Sequence, residues 1–154
     1  MISVERHLEC GAMDVFRVLD DGWLYASWVV GASRIREVEP GWPAAGHRIH
    51  HSVGVWPVLM NDVSEVLDHR PPTRMELQVR VRPWWNGVVT IEVRDERDGC
   101  VIRMTEAPVA GPARWLPRFL LAAFLRPRNN ETLRRLGYLA EGGAGRRLPA
   151  DGTT

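Results

Sequence analysis

Three histidines fall within five positions of "HRIHHSVGVWP", residues 47–57: His47, His50 and His51. Imidazoles this close could ligate a metal, act as general bases, or simply occupy a strand. In a strand, alternate side chains point to opposite faces. His47 and His51 then share a face, but four residues of strand hold them roughly 13 Å apart. Zinc binds nitrogen at about 2.0–2.1 Å, so one ion cannot take both, and no metal site is expected. "WPVL", 56–59, reads as a hairpin turn leading into "MNDVSEVLDH", 60–69. Pairing Val55 with Met60 sets Val53 opposite Asp62 and His51 opposite Ser64. The inward set is then Ile49, His51, Val53 and Val55, faced by Met60, Asp62, Ser64 and Val66.

An imidazole on an apolar face beside Asp62 and Ser64 has two readings. It is a general base oriented by the carboxylate with the hydroxyl as further partner, or a buried histidine satisfied by its neighbours. Either way Asp62 needs a donor or water, because a buried carboxylate without one is costly. His51, Asp62 and Ser64 are therefore the catalytic candidates. The basic residues are all arginine, and the absence of lysine excludes Schiff-base chemistry on a side chain. Cys10 and Cys100 are too few for a disulfide framework or a zinc knuckle and read as small buried hydrophobes.

These residues need a frame to hold them. Residues 2–10 read as a strand, 11–21 as a helix stopped by Gly22, and 23–30 as a short helix running into a strand. From 29 to 106 the pattern is β. Residues 31–39 end at Pro40-Gly41, and Pro71-Pro72 breaks the chain again. Met75, Leu77, Val79 and Val81 alternate with polar residues, as do Val89, Ile91 and Val93. Pairing Val81 with Val89 places Glu76 opposite Arg94. "DERDG", 95–99, turns the chain into "CVIRMTE". The last element is helical and carries Leu121, Leu125, Leu133, Leu136 and Leu139/Ala140 as its apolar stripe. Pro127 within it must kink or interrupt it. Residues 1–141 form a single domain, and 142–154 read as a disordered C-terminal tail.

The composition is that of an ordinary soluble domain of 154 residues, with a net charge of +1. A near-neutral balance gives no general electrostatic attraction for nucleic acid or an anionic membrane. The start, "MISVERHLEC", lacks the build of a signal peptide, and no apolar run is long enough to span a membrane, so a cytoplasmic location is expected. Seven tryptophans remain to be placed. Trp23, Trp28 and Trp42 flank strands and would ring one end of the sheet, while Trp56, Trp84 and Trp85 lie at hairpin turns. They line a pocket, fill the core, or form a contact surface.

The order of "GWLYASWVVGASRIREVEPGWPAAGHRIHHSVGVWP", "EVLDHRPPTRMEL" and a terminal "RNNETLRRLGYLAE" helix resembles the START-related helix-grip (SRPBCC) superfamily. More narrowly it is similar to the bacterial polyketide cyclase/dehydrase and lipid-transport group. The resemblance implies an α+β fold: a curved seven-stranded antiparallel sheet wrapped around a long C-terminal helix, with two short helices after the first strand. It also implies a deep apolar cavity that takes lipids, polyketides or aromatic compounds, and no shared catalytic motif. The ligand-binding residues expected on inward strand positions are Ile49, His51, Val53, Val55, Met60, Asp62, Ser64, Leu77, Val79, Ile91 and Met104. Trp28 and the helix residues Leu121, Phe124 and Leu125 complete the expected lining. Three functions follow: a carrier or sensor of a hydrophobic small molecule, a cyclase/dehydratase-like enzyme with His51 as base and Ser64 holding the substrate oxygen, or a protein-partner adaptor using the tryptophans. No cofactor and no nucleic-acid partner is expected, and the chain is expected to be a monomer or homodimer.

Overall fold

The computed structural model describes residues 1–55, 57–81 and 85–145, with the side chains of residues 55, 58, 81, 85, 113 and 114 left aside. The expectations placed on the Val55 side chain, on Trp56 and Trp84, and on most of the tail lie outside the described residues. Strand β1 (Ile2–Leu8) leads into α1 (Ala12–Asp20), a 3-10 turn (Gly22–Leu24) and the one-turn α2 (Tyr25–Trp28). Six strands follow: β2 (Ala32–Val38), β3 (Arg48–Val55), β4 (Val58–Arg70), β5 (Arg74–Val81), β6 (Trp85–Glu96) and β7 (Gly99–Ala110). A second 3-10 turn (Pro112–Trp115) then starts the long α3 (Arg118–Glu141). The strands form one antiparallel sheet in the order β1-β7-β6-β5-β4-β3-β2.

Alternation sets which face is buried. Met75 and Leu77 of β5, Val89, Ile91 and Val93 of β6, and Cys100, Ile102 and Met104 of β7 all point inward. At one end of the sheet they meet Val15, Phe16 and Leu19 of α1 and Leu133, Leu136 and Ala140 of α3. Each such side chain contributes about 1.5–3 kcal/mol when removed from water. Helix α1 begins at Gly11, which has no side chain to cap it. Its first amide, that of Ala12, instead donates to Asp95 Oδ1 at 2.8 Å, from the β6–β7 turn.

Helix α3 buries Leu121, Leu125, Asn129, Thr132, Leu133, Leu136, Gly137 and Ala140, one stripe at helical spacing. Gly137 sits where α3 crosses β1, since a Cβ there would fall 2.6 Å from Leu8 Cδ2. Pro127 does not split the element: the helix runs through it. Proline removes one amide donor, which would leave the Ala123 carbonyl without its partner. Both residues are exposed, so water can satisfy that carbonyl at little cost.

Two registers differ from expectation. His51 pairs with Asp62 and Val53 with Met60, a slip of two, because β4 starts at Val58 and the β3–β4 turn is shorter than "WPVL". Leu77 pairs with Val89 and Glu76 with Thr90, a slip of four, because β6 starts at Trp85. Glu76 accepts from Arg74, and Arg94 faces Val101. Both slips are even, so each residue keeps its face. His47 is the exception. It precedes β3, and its alternation does not extend to it. His47 lies with His50 around Glu39, at 3.8 and 3.3 Å, on the side away from His51.

Candidate binding pocket

Tyr25, Ser64 and His51 form a buried chain of hydrogen bonds where α2 meets the inner face of β3 and β4. The Tyr25 hydroxyl lies 2.7 Å from Ser64 Oγ, and His51 Nε2 lies 3.0 Å from the same oxygen. Donors and acceptors balance if Tyr25 donates to Ser64 and Ser64 donates to His51 Nε2. The ring hydrogen then sits on Nδ1, which has no hydrogen-bond partner among the described residues. The rings of Tyr25 and His51 lie 5.3 Å apart, tilted by 37°, and Trp28 meets Tyr25 edge-on at 5.2 Å.

His51 is only 1% exposed, and burial pushes its pKa down from 6.5 to about 4, against a contact with the Ser52 backbone that works the other way. Burial pushes Tyr25 up to about 12, partly offset by its bond to Ser64. At neutral pH the chain is therefore uncharged. Asp62, directly across from His51, accepts from the Val63 amide through Oδ1 at 2.8 Å.

Beside this chain, between the sheet and α3, lies a cavity of about 40 Å³. Of the expected lining, Trp28, His51, Val53, Leu77, Val79 and Met104 border it, joined by Tyr25, Val29–Ala32, Val89 and Arg128. Ser64 stands behind, linking Tyr25 to His51. Asp62 and Ile49 are buried but do not border the cavity, and Met60 is half-buried towards the end of the hairpin. Ile91 belongs to the main core beneath α1. Leu121 and Leu125 pack on Ile2 in a separate small cluster. Phe124 is a correction. It is 72% exposed, because the buried stripe of α3 runs through Leu121 and Leu125 and leaves position 124 on the outer face. Trp23 is likewise exposed, whereas the Trp42 indole donates to the Leu19 carbonyl at 3.3 Å.

Of the residues of this region that the sequence reading missed, three carry polar groups. Tyr25 is one turn ahead of Trp28 in "YASW" and shares its face. Glu106 is fully buried and continues the inward phase Cys100, Ile102, Met104, which was signal enough. Arg128 reaches it from α3 at 2.7 Å and also donates to Asn129 Oδ1 at 3.1 Å. An acid at an inward position calls for such a cation. Glu106 Oε1, Asn129 Nδ2 and the Trp28 indole nitrogen, all buried, have no hydrogen-bond partner among the described residues. Among the described residues, no three His, Cys, Asp or Glu side chains come together as a metal ion would need.

A sheet curled over one long helix, with a mostly apolar pocket between them, defines a helix-grip protein. The chain belongs to the polyketide cyclase / dehydrase and lipid transport family, which it matches over residues 1–141. Solved structures agree on the fold. Protein MLL2253 from Mesorhizobium loti superposes with a TM-score of 0.68 at 17% identity, covering 92% of this chain and 96% of that one. The di-domain aromatase/cyclase StfQ of the steffimycin biosynthetic pathway gives 0.71 at 14% identity, covering 94% of this chain and 51% of that one. Ara h 8.0201 gives 0.66 at 12%, covering 90% and 95%. No curated protein matches the chain in sequence. No helix among the described residues is long and apolar enough to cross a membrane.

Proposed function

We propose that this chain binds a hydrophobic small molecule, a lipid, polyketide or aromatic compound, in the pocket between the sheet and α3, as a carrier or sensor. The observation that carries the reading is the pocket's lining. Trp28, Val53, Leu77, Val79, Val89 and Met104 supply apolar surface, and the neutral Tyr25–Ser64–His51 chain supplies a few polar atoms to orient a guest. The family's description and StfQ's place in a biosynthetic pathway support a hydrophobic small-molecule ligand, without choosing between carrier and enzyme.

Pockets for such molecules hold about 300–1,000 Å³, so binding requires this one, at about 40 Å³, to widen. The segment 29–32 is the wall suited to yield. Among the described residues it is tied to α3 by one hydrogen bond, from the Val30 amide to Thr132 Oγ1 at 3.3 Å, and it leads into the edge strand β2, whose pairing shifts register twice. Native mass spectrometry of freshly purified protein should show a co-purifying mass. Val79→Trp, which fills the pocket, should remove it while unfolding stays cooperative. Binding of apolar dyes that is indifferent to Val79→Trp would rule the pocket out.

A second reading, a cyclase/dehydratase-like enzyme, draws on the unpartnered Nδ1 of His51. With its pKa near 4, His51 is a weak base at neutral pH, which is why binding ranks first. In the enzyme reading His51→Ala abolishes turnover and spares affinity. In the binding reading affinity falls.

A further inference from the structure

The start of α3 and the turn before it carry an apolar surface that the fold does not cover. Trp115 is 85% exposed, Phe119 71% and Phe124 72%, with Leu116 and Leu120 exposed between them. Leu121 and Leu125, on the other side of the same helix, pack inward on Ile2. Exposed apolar residues scattered singly need no explanation, but five within residues 115–124, across the turn and the start of α3, do.

The charge around this face is one-sided. Between Glu106 and Glu131 the chain has arginines at 114, 118, 126 and 128 and no acidic residue. Arg128 is committed to Glu106, while Arg118 and Arg126 are exposed. An open groove of about 640 Å³ runs along the helix, lined by Ile2, Arg118, Phe119, Ala122, Ala123, Arg126 and Pro127, with no carboxylate. The whole chain is nearly neutral, so this is a local concentration of positive charge that the net charge of +1 conceals.

We propose that this face of α3 seats the protein peripherally on an anionic lipid surface. Aromatic and leucine side chains flanked by arginine are the composition of helices that lie in the interface between headgroups and acyl chains. The arginines select the partner. A second copy of the chain meeting this patch across a two-fold axis would bring like charges together, whereas anionic headgroups neutralise them. Phe124 is one helical turn from Arg128, which borders the pocket, so a seated protein would hold the pocket near the bilayer. The inference stands whatever the pocket holds.

The test is co-sedimentation of the full chain with vesicles of phosphatidylcholine alone or of phosphatidylcholine and phosphatidylglycerol in equal parts, with oligomeric state followed by light scattering. Binding is expected to the mixed vesicles and to weaken with added salt. Each surface arginine strengthens binding about fivefold, so Arg118→Gln with Arg126→Gln should weaken it about 25-fold. Phe119→Asp with Phe124→Asp should abolish it. All four side chains are exposed, so these variants should fold, and circular dichroism checks that they do. Arg97→Gln, in the β6–β7 turn, should change nothing. Equal binding to both vesicles, or variants that bind as the wild type does, would overturn the proposal. So would a dimer that Phe119→Asp splits while neither form binds vesicles.

Discussion

Replacing His51 by glutamine should remove a specific part of the protein's sensitivity to acid. In the fold this imidazole is held neutral by burial, with its pKa near 4, whereas in the unfolded chain it titrates near 6.5. Between those values the unfolded state carries one proton more than the folded state, so stability falls as pH falls. It is fully present above pH 6.5 and declines by about 1.4 kcal/mol per pH unit down to about pH 4. The whole window amounts to about 3 kcal/mol, a large share of the ~5–15 kcal/mol that holds a domain together. Glutamine at 51 can still hydrogen-bond to Ser64 but cannot take up the proton. Urea unfolding of both proteins at pH 7 and at about pH 4.5 isolates the effect, because the carboxylates that also titrate there are common to both and cancel. The difference in stability between wild type and variant should shift by more than about 2 kcal/mol in the variant's favour at the lower pH. A difference independent of pH would mean that His51 is solvated in the fold, and the buried, neutral Tyr25–Ser64–His51 chain described above would be wrong.

Gly99→Ala should destabilise the fold by at least about 2 kcal/mol, since the glycine has φ +143° and an added Cβ would lie 1.9 Å from the Leu8 carbonyl oxygen. Thermal unfolding checks it. Arg128→Met should cost about 3 kcal/mol by leaving the buried Glu106 without its cation. Adding Glu106→Leu to that variant should recover most of the loss in the same unfolding assay. Asp95→Ala should cost about 1 kcal/mol, as an N-cap does, and should speed hydrogen exchange at the Ala12 amide it now holds.

Much of this architecture was legible in the residues because inward and outward positions alternate without regard to pairing. Errors of two and four in the hairpin registers left His51, Ser64 and Leu77 facing the interior, since the period of a strand is two. Register itself depends on turn length, and a tryptophan-proline turn flanked by apolar residues gives no count of its own. In α3 the stripe of Leu121, Leu125 and Leu133 was clear. Phe124 was misplaced because the first half of that helix is apolar on both sides, and periodicity cannot say which side is covered. The pocket's polar partners were harder. Tyr25 and Ser64 are distant in the chain, and nothing in either segment announces that one hydroxyl will bridge to an imidazole through the other.

Strand β1 lies at the sheet edge and, among the described residues, its sole strand partner is β7, with Ile2 against Glu106 and Leu8 against Cys100. A ribosome must therefore deliver about a hundred residues before the first strand has anywhere to dock, and α3, which packs on it through Gly137, comes later still. Distant pairing of this kind slows the search for the native state, because loop closure must precede any gain. The nascent chain carries β1 as an open strand through that interval, and α3, made after β7, is what locks it down.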